Sequence, residues 1–173
     1  MEAQTKSIID KLPDSLIISL TAQDSLDLRD LTYLNDAAFE LIAQLVELGT
    51  LKIRANYFNV RDRRLMIKNL AKLNLVTIVI EGYGKTDHSG ICNDLFEEFS
   101  NNICVVKHLE EIDLINCRID NELLESLCSL HDLSVLRVTN KNTNYKEIIT
   151  SVFKSNGKTR CTVFVNGILI KFD

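Results

Sequence analysis

The sequence predicts an α/β solenoid, a row of parallel strands backed by helices, and two observations carry that prediction. Six short apolar alternations recur along the chain: Leu26-Asp27-Leu28, Leu51-Lys52-Ile53, Ile78-Val79-Ile80, Ile112-Asp113-Leu114, Leu136-Arg137-Val138 and Val163-Phe164-Val165. From first residue to first residue they lie 25, 27, 34, 24 and 27 positions apart, a period that leaves room for one strand and one helix per unit. Between them sit segments of helical spacing, and two of these superpose with a fixed shift of 85 residues. Phe39, Ile42, Leu45 and Leu48 then fall on Leu124, Leu127, Leu130 and Leu133, a stripe on one side of a short helix. A unit of this size cannot bury its apolar face alone, so neighbouring units must stack.

The elements follow in order. Residues 1–25 are expected to form an N-terminal cap: Thr5 to Leu12 as one or two helical turns ended by Pro13, then Leu16 to Leu20 as an extra strand. Repeats, about five in number, should fill 26–158. Asn35 or Asp36 is a suitable N-cap for the first helix and Gly49 a suitable terminator, while Asp120 or Asn121 takes the capping place in the fourth unit. The long 34-residue interval is explained by an insert over 82–94. Residues 159–173 should form a C-terminal β-hairpin cap, because Asn166-Gly167 separates two apolar runs, Cys161 to Val165 and Ile168 to Phe172. Both central residues of a type I′ turn need positive φ, which Asn and Gly tolerate best.

Composition narrows the class. The 173 residues are 46% hydrophobic with one Pro and six Gly, which suits one packed core rather than a disordered chain. A formal charge of −4, from 20 basic and 24 acidic residues, disfavours nucleic acid and anionic membrane as partners. No apolar run approaches the roughly 18 residues of a membrane helix, and the opening MEAQTKSIID lacks the apolar stretch of an export signal. A soluble cytoplasmic or nuclear protein is expected. The five cysteines, Cys92, Cys104, Cys117, Cys128 and Cys161, include no C-x-x-C pair, which argues against a disulfide framework and a zinc cluster and for small buried side chains. His108 and His131 have no second His or Cys at ligand spacing, so no metal or cofactor is expected.

Several units resemble the leucine-rich repeat, L-x-L-x-x-(N/C)-x-x-L-x-(D/N), in the longer cysteine-containing variety found in F-box proteins or in the ribonuclease-inhibitor-like variety. In Leu109 to Leu133, LEEIDLINCRIDNELLESLCSLHDL, Leu109, Ile112 and Leu114 lead to Cys117 at the ladder position and Ile119 after it. Leu51 to Phe58 places Asn56 there, and Leu26 to Leu48 places Leu31 there instead of Asn or Cys. Tyr83 and Lys141 hold that place in the third and fifth units and depart from the pattern. The resemblance, over roughly 26–140, implies that Asn56 and Cys117 hydrogen-bond backbone at the turn out of each strand, with a parallel concave β-sheet and convex helices. It also implies a non-enzymatic protein-binding role. Lys11-Leu-Pro-Asp-Ser-Leu-Ile17 looks like the opening of an F-box helix, which implies an adaptor within a ubiquitin-ligase complex.

Motifs of catalytic type are incomplete. Glu81-Gly82-Tyr83-Gly84-Lys85-Thr86 follows a strand as a phosphate loop does, and a small α/β nucleotide-binding enzyme using Gly82 to Thr86 is the alternative reading. The pattern G-x-x-x-x-G-K-[ST], however, requires glycine where Val79 stands inside the strand. Asp87, His88, Ser89 and Cys92 are neighbours on one loop, whereas catalytic groups converge from separate rigid elements.

The strand row offers the better candidate. Its face should present Asp27 and Arg29, Lys52 and Arg54, Val79 and Glu81, Glu111, Asp113 and Asn116, then Arg137 and Asn140. Basic and acidic bands alternate, with Val79, Ile115 and Val135 between them. Such a stripe suits a protein or peptide partner, charge setting register and apolar contact supplying energy. The expected partner-binding set is Lys52, Arg54, Glu81, Glu111, Asp113, Asn116, Arg137 and Asn140. Part of the alternation also pairs neighbouring strands with each other.

Overall fold

The computed structural model describes residues 24–30, 40–45, 47–54, 68–70, 72–82, 108–140 and 144–172. They form an α/β fold around one seven-stranded sheet: β1 (Ser25–Asp27), β2 (Thr50–Arg54), β3 (Thr77–Glu81), β4 (Glu111–Ile115), β5 (Val135–Thr139), β6 (Thr162–Val165) and β7 (Ile168–Ile170). Helix α1 (Asn121–Ser129) joins β4 to β5, and α2 (Lys146–Ser155) joins β5 to β6. The spatial order is β1-β2-β3-β4-β5-β6-β7, parallel throughout except for the last, antiparallel pair. Each strand thus lies beside its sequence neighbours, unlike a doubly wound sheet, whose order reverses at a switch point.

Period-two alternation sends one set of side chains from every strand into the core. Two buried rows cross the sheet in register: Leu51, Ile78, Ile112, Leu136 and Val163, then Ile53, Ile80, Leu114, Val138 and Val165. A third row, three residues ahead of the first, is Leu48, Leu75, Leu109 and Leu133, each at most 3% exposed. Leu123, Leu124 and Leu127 of α1 and Ile149, Val152 and Phe153 of α2 close over these rows. Of the overlaid stripe, Ile42, Leu45, Leu48, Leu124, Leu127, Leu130 and Leu133 are all buried. The lost exposure of such aliphatic side chains is the main source of stability here, at roughly 1.5–3 kcal/mol per fully buried side chain.

The stacking is tied by a recurring backbone device. The carbonyl just before β1, that of Asp24, accepts the amides of Gly49 and Thr50. Gly49 does the same for Val76 and Thr77, Val76 for Glu110 and Glu111, and Glu110 for Ser134 and Val135. These groups would otherwise be stranded at the sheet entrance.

Helix ends are fixed locally. Asp120 is the N-cap of α1, its carboxylate accepting the Leu123 amide at 3.0 Å. At the other end of α1, the Lys158 ammonium donates to the carbonyls of Leu130 and His131, a cation placed where the helix dipole favours one. The hairpin forms as expected: Asn166 has φ 51° and Gly167 φ 78° between β6 and β7. Phe172, just beyond β7, stacks on Phe153 with ring centroids 5.9 Å apart.

The expected helix over Thr5 to Leu12, the strand Leu16 to Leu20, the F-box-like segment, Asn35 and Asp36, Asn56, Tyr83, Lys141 and the insert from Tyr83 to Asp94 lie outside the described residues. Among the described residues no helix is long and apolar enough to cross a membrane.

Candidate functional site

The outward face of the sheet, opposite the core, carries three rows set by strand register. The central row runs Asp27, Lys52, Val79, Asp113, Arg137 and Phe164. One flank runs Thr50, Thr77, Glu111, Val135 and Thr162, and the other Arg54, Glu81, Ile115 and Thr139. Parallel strands hold these positions about 4.8 Å apart, so charges on neighbours are within reach of each other.

Two ionic clusters result. In the first, Arg29 binds Asp27 through Nε to Oδ1 at 2.9 Å and Nη2 to Oδ2 at 2.6 Å. Lys52 lies 3.8 Å from Asp27, Arg29 lies 3.8 Å from Glu81, and Arg54 lies 3.7 Å from Glu81. Among the described residues these contacts join Arg29, Lys52 and Arg54 to Asp27 and Glu81, and Asp30 adds its charge beside Arg29. In the second, Arg137 Nη1 donates to Glu111 at 2.8 Å and to Asp113 at 3.2 Å, so one cation meets two carboxylates. Val79, only 7% exposed, stands between the clusters.

The hydrogen bonds from Arg29 draw the Asp27 carboxyl from its usual 3.8 down to about 2, helped by the nearby Lys52. Reciprocally, the Asp27 carboxylate raises the pKa of Arg29, and Glu111, then Asp113, raise that of Arg137. Half-exposed ion pairs contribute about 0–1 kcal/mol each, so these clusters order side chains more than they stabilise the fold.

Lys52, Arg54, Glu81, Glu111, Asp113 and Arg137 all lie on this face, and the structure brings them into two groups rather than one continuous stripe. Asn116 follows β4 with φ 53°, and its amide donates to the Thr139 carbonyl at 2.6 Å. Asn140 is a correction: it is 7% exposed and turned inward. Its side-chain amide donates to the Cys117 carbonyl at 3.3 Å, and its backbone amide donates to Asn166 Oδ1 at 2.8 Å. The reason is a one-residue difference between units. Asn116 takes up an extra position in the left-handed region after β4, so Cys117 turns inward there, whereas Asn140 turns inward directly after β5, one place before Lys141. The Cys117 thiol contacts the carbonyls of Ile80 at 3.4 Å and Ile115 at 3.6 Å.

Sequence reasoning left out Arg29 as the link between the Asp27 and Glu81 carboxylates, and it left out Phe164 and Leu169, which pair on the outward face of the hairpin. The alternation in Thr162-Val163-Phe164-Val165 held the signal for Phe164. Gly82 is buried against the turn at Asn116, while Tyr83 to Thr86 lie outside the described residues. Burial pushes the Cys128 and Cys161 thiols up to about 11, away from nucleophilic use. Among the described residues no group of three or more His, Cys, Asp or Glu could hold a metal ion. No family model, no curated protein and no solved structure matches this chain.

Proposed function

We propose that the chain is a short leucine-rich-repeat solenoid with end caps, acting as a non-enzymatic interaction module or adaptor that takes a protein or peptide partner on its concave strand face. The observation that carries this reading is the presence, among the described residues, of two ionic clusters on the strand face, one around Asp27 and Glu81 and one around Arg137, on either side of Val79. A partner segment whose charges are spaced to meet these two clusters would be oriented by such a face, because like charges placed together are costly and fix direction. Apart from Arg29, which follows β1, the clustered side chains sit on strands rather than loops, so little conformational freedom remains to be lost on binding. The repeated L-x-x-L-x-L rows and the inward Cys117 and Asn140 support the repeat assignment. Placement in a ubiquitin-ligase complex rests on the Lys11 to Ile17 likeness alone.

The experiment is affinity capture with quantitative mass spectrometry, using the full chain and two charge-reversed forms as bait. One form carries Lys52→Glu with Arg54→Glu, the other Glu111→Lys with Asp113→Lys. The expected result is loss of the same captured partner from both forms, with melting temperatures close to the parent. Retention of that partner by both forms would remove the strand face from the reading.

A further inference from the structure

We propose that β7 is a homodimerisation edge, on which a second copy of this chain adds its own β7 antiparallel and in two-fold symmetry. Among the described residues, β7 is bonded to a strand on one side only. Its neighbour β6 directs the amides of Thr162 and Asn166 to β5, onto Ser134 and Val138 at 2.7 and 2.8 Å. Alternation then sends the groups of Val163 and Val165 to β7, where they face Ile170 and Ile168. Leu169 is left with its N–H and C=O directed out of the sheet. The exposed large hydrophobic side chains among the described residues are Val76, Ile168 and Leu169, so two of three are consecutive on this edge, at 67% and 48% exposure. Exposed apolar edges of this kind invite strand addition.

Self-complementarity selects the occupant. Antiparallel pairing centred on Leu169 sets Leu169 against its own copy and shares both of its outward hydrogen bonds. Ile168 of one copy then faces Ile170 of the other, on the side of the sheet that carries the core. The charged Lys171 faces Gly167 rather than its own copy, so no like charges oppose across the axis. The strand is three residues long, which makes the association weak and concentration-dependent.

Sedimentation equilibrium of the full chain, from about 1 µM to about 1 mM, tests this. The expected result is a mass rising toward twice that of the chain. Leu169→Lys and Leu169→Glu should each raise the dissociation constant by about tenfold or more, since like charges would then meet at the axis. A mixture of the two should restore the dimer, a rescue that only a residue facing its own copy can give. Circular dichroism melts check folding, and Ile168→Lys, at the more exposed position, repeats the disruption. A monomer throughout the range, an unchanged dissociation constant in either single variant, or a mixture no tighter than the single variants would overturn the proposal.

Discussion

A β-carbon added to Gly82 would lie 2.7 Å from the Asn116 carbonyl oxygen, with the Asn116 carbonyl carbon and the Cys117 Cα at 3.1 and 3.2 Å. All three atoms are backbone, held by the Gly82 amide donating to the Ile115 carbonyl at 2.7 Å. No side chain can rotate away to relieve the contact. Gly82→Ala should therefore destabilise by about 1–3 kcal/mol, the usual cost of forcing atoms into a packed site. Urea unfolding read by circular dichroism measures it, and an unchanged midpoint would contradict the contact.

Asn140 closes the next turn along the row. Its side-chain amide donates to the Cys117 carbonyl and its backbone amide donates to the Asn166 side chain, joining the turns after β4, β5 and β6. Asn140→Leu removes the first of these while leaving a buried carbonyl without that donor, a loss of about 1–3 kcal/mol. Asn140→Asp should fare no better, since a buried carboxylate would confront a carbonyl oxygen. Both are read from denaturant midpoints. A neutral effect in both variants would return Asn140 to the solvent face.

The strand positions were legible because alternation of apolar and polar residues imposes a single burial pattern: Leu51-Lys52-Ile53 and Ile112-Asp113-Leu114 have one reading as half-buried strands. Asn166-Gly167 was legible for a similar reason, positive φ being restricted to few residue types. Asn140 was not, because Asn116 and Asn140 both directly follow a strand and are the same residue type, yet Asn116 takes the left-handed region and Asn140 does not, a difference residue type alone does not carry. The charged face was legible as a composition and illegible as a geometry. Which carboxylate Arg137 meets follows from register, and register is known only when the strands are paired. Ile168-Leu169-Ile170 has no alternation, so the outward direction of Leu169 could not be read from residue type.

Leu127 lies on the buried stripe of α1 and is fully enclosed. Truncation to alanine leaves a cavity beneath a helix that is capped at both ends, by Asp120 and by Lys158, and so cannot collapse freely. Leu127→Ala should cost about 2–5 kcal/mol. Chemical denaturation measures this directly, and a loss below the lower bound would mean that α1 relaxes into the space.

Cys128 and Cys161 should be slow to alkylate in the folded chain. Burial raises both thiols from 9.0 to about 11, against the weaker opposing pull of Lys158. Two pKa units reduce the thiolate fraction near neutral pH by about a hundredfold. Iodoacetamide labelling followed by peptide mass spectrometry, with and without urea, is expected to show both sites modified rapidly only after unfolding. Equal labelling rates in the two states would contradict their enclosure.

Asp27 links the outward face to acid stability. Its folded-state pKa of about 2 lies below the ordinary 3.8, first because of the hydrogen bonds from Arg29. A carboxyl depressed in the folded state binds its proton more readily when unfolded. Its contribution is therefore complete above the ordinary value, falls as pH drops from about 4, and is gone once pH passes below about 2. Asp27→Asn should then be less stable than the parent at neutral pH, and the gap between them should close over that interval. Because the carboxylate is substantially solvated, added salt should narrow the gap at neutral pH as well. Urea midpoints of both chains from neutral pH to about pH 2 decide the matter. A gap that stays constant across the interval would show that Arg29 does not hold Asp27 in the folded chain.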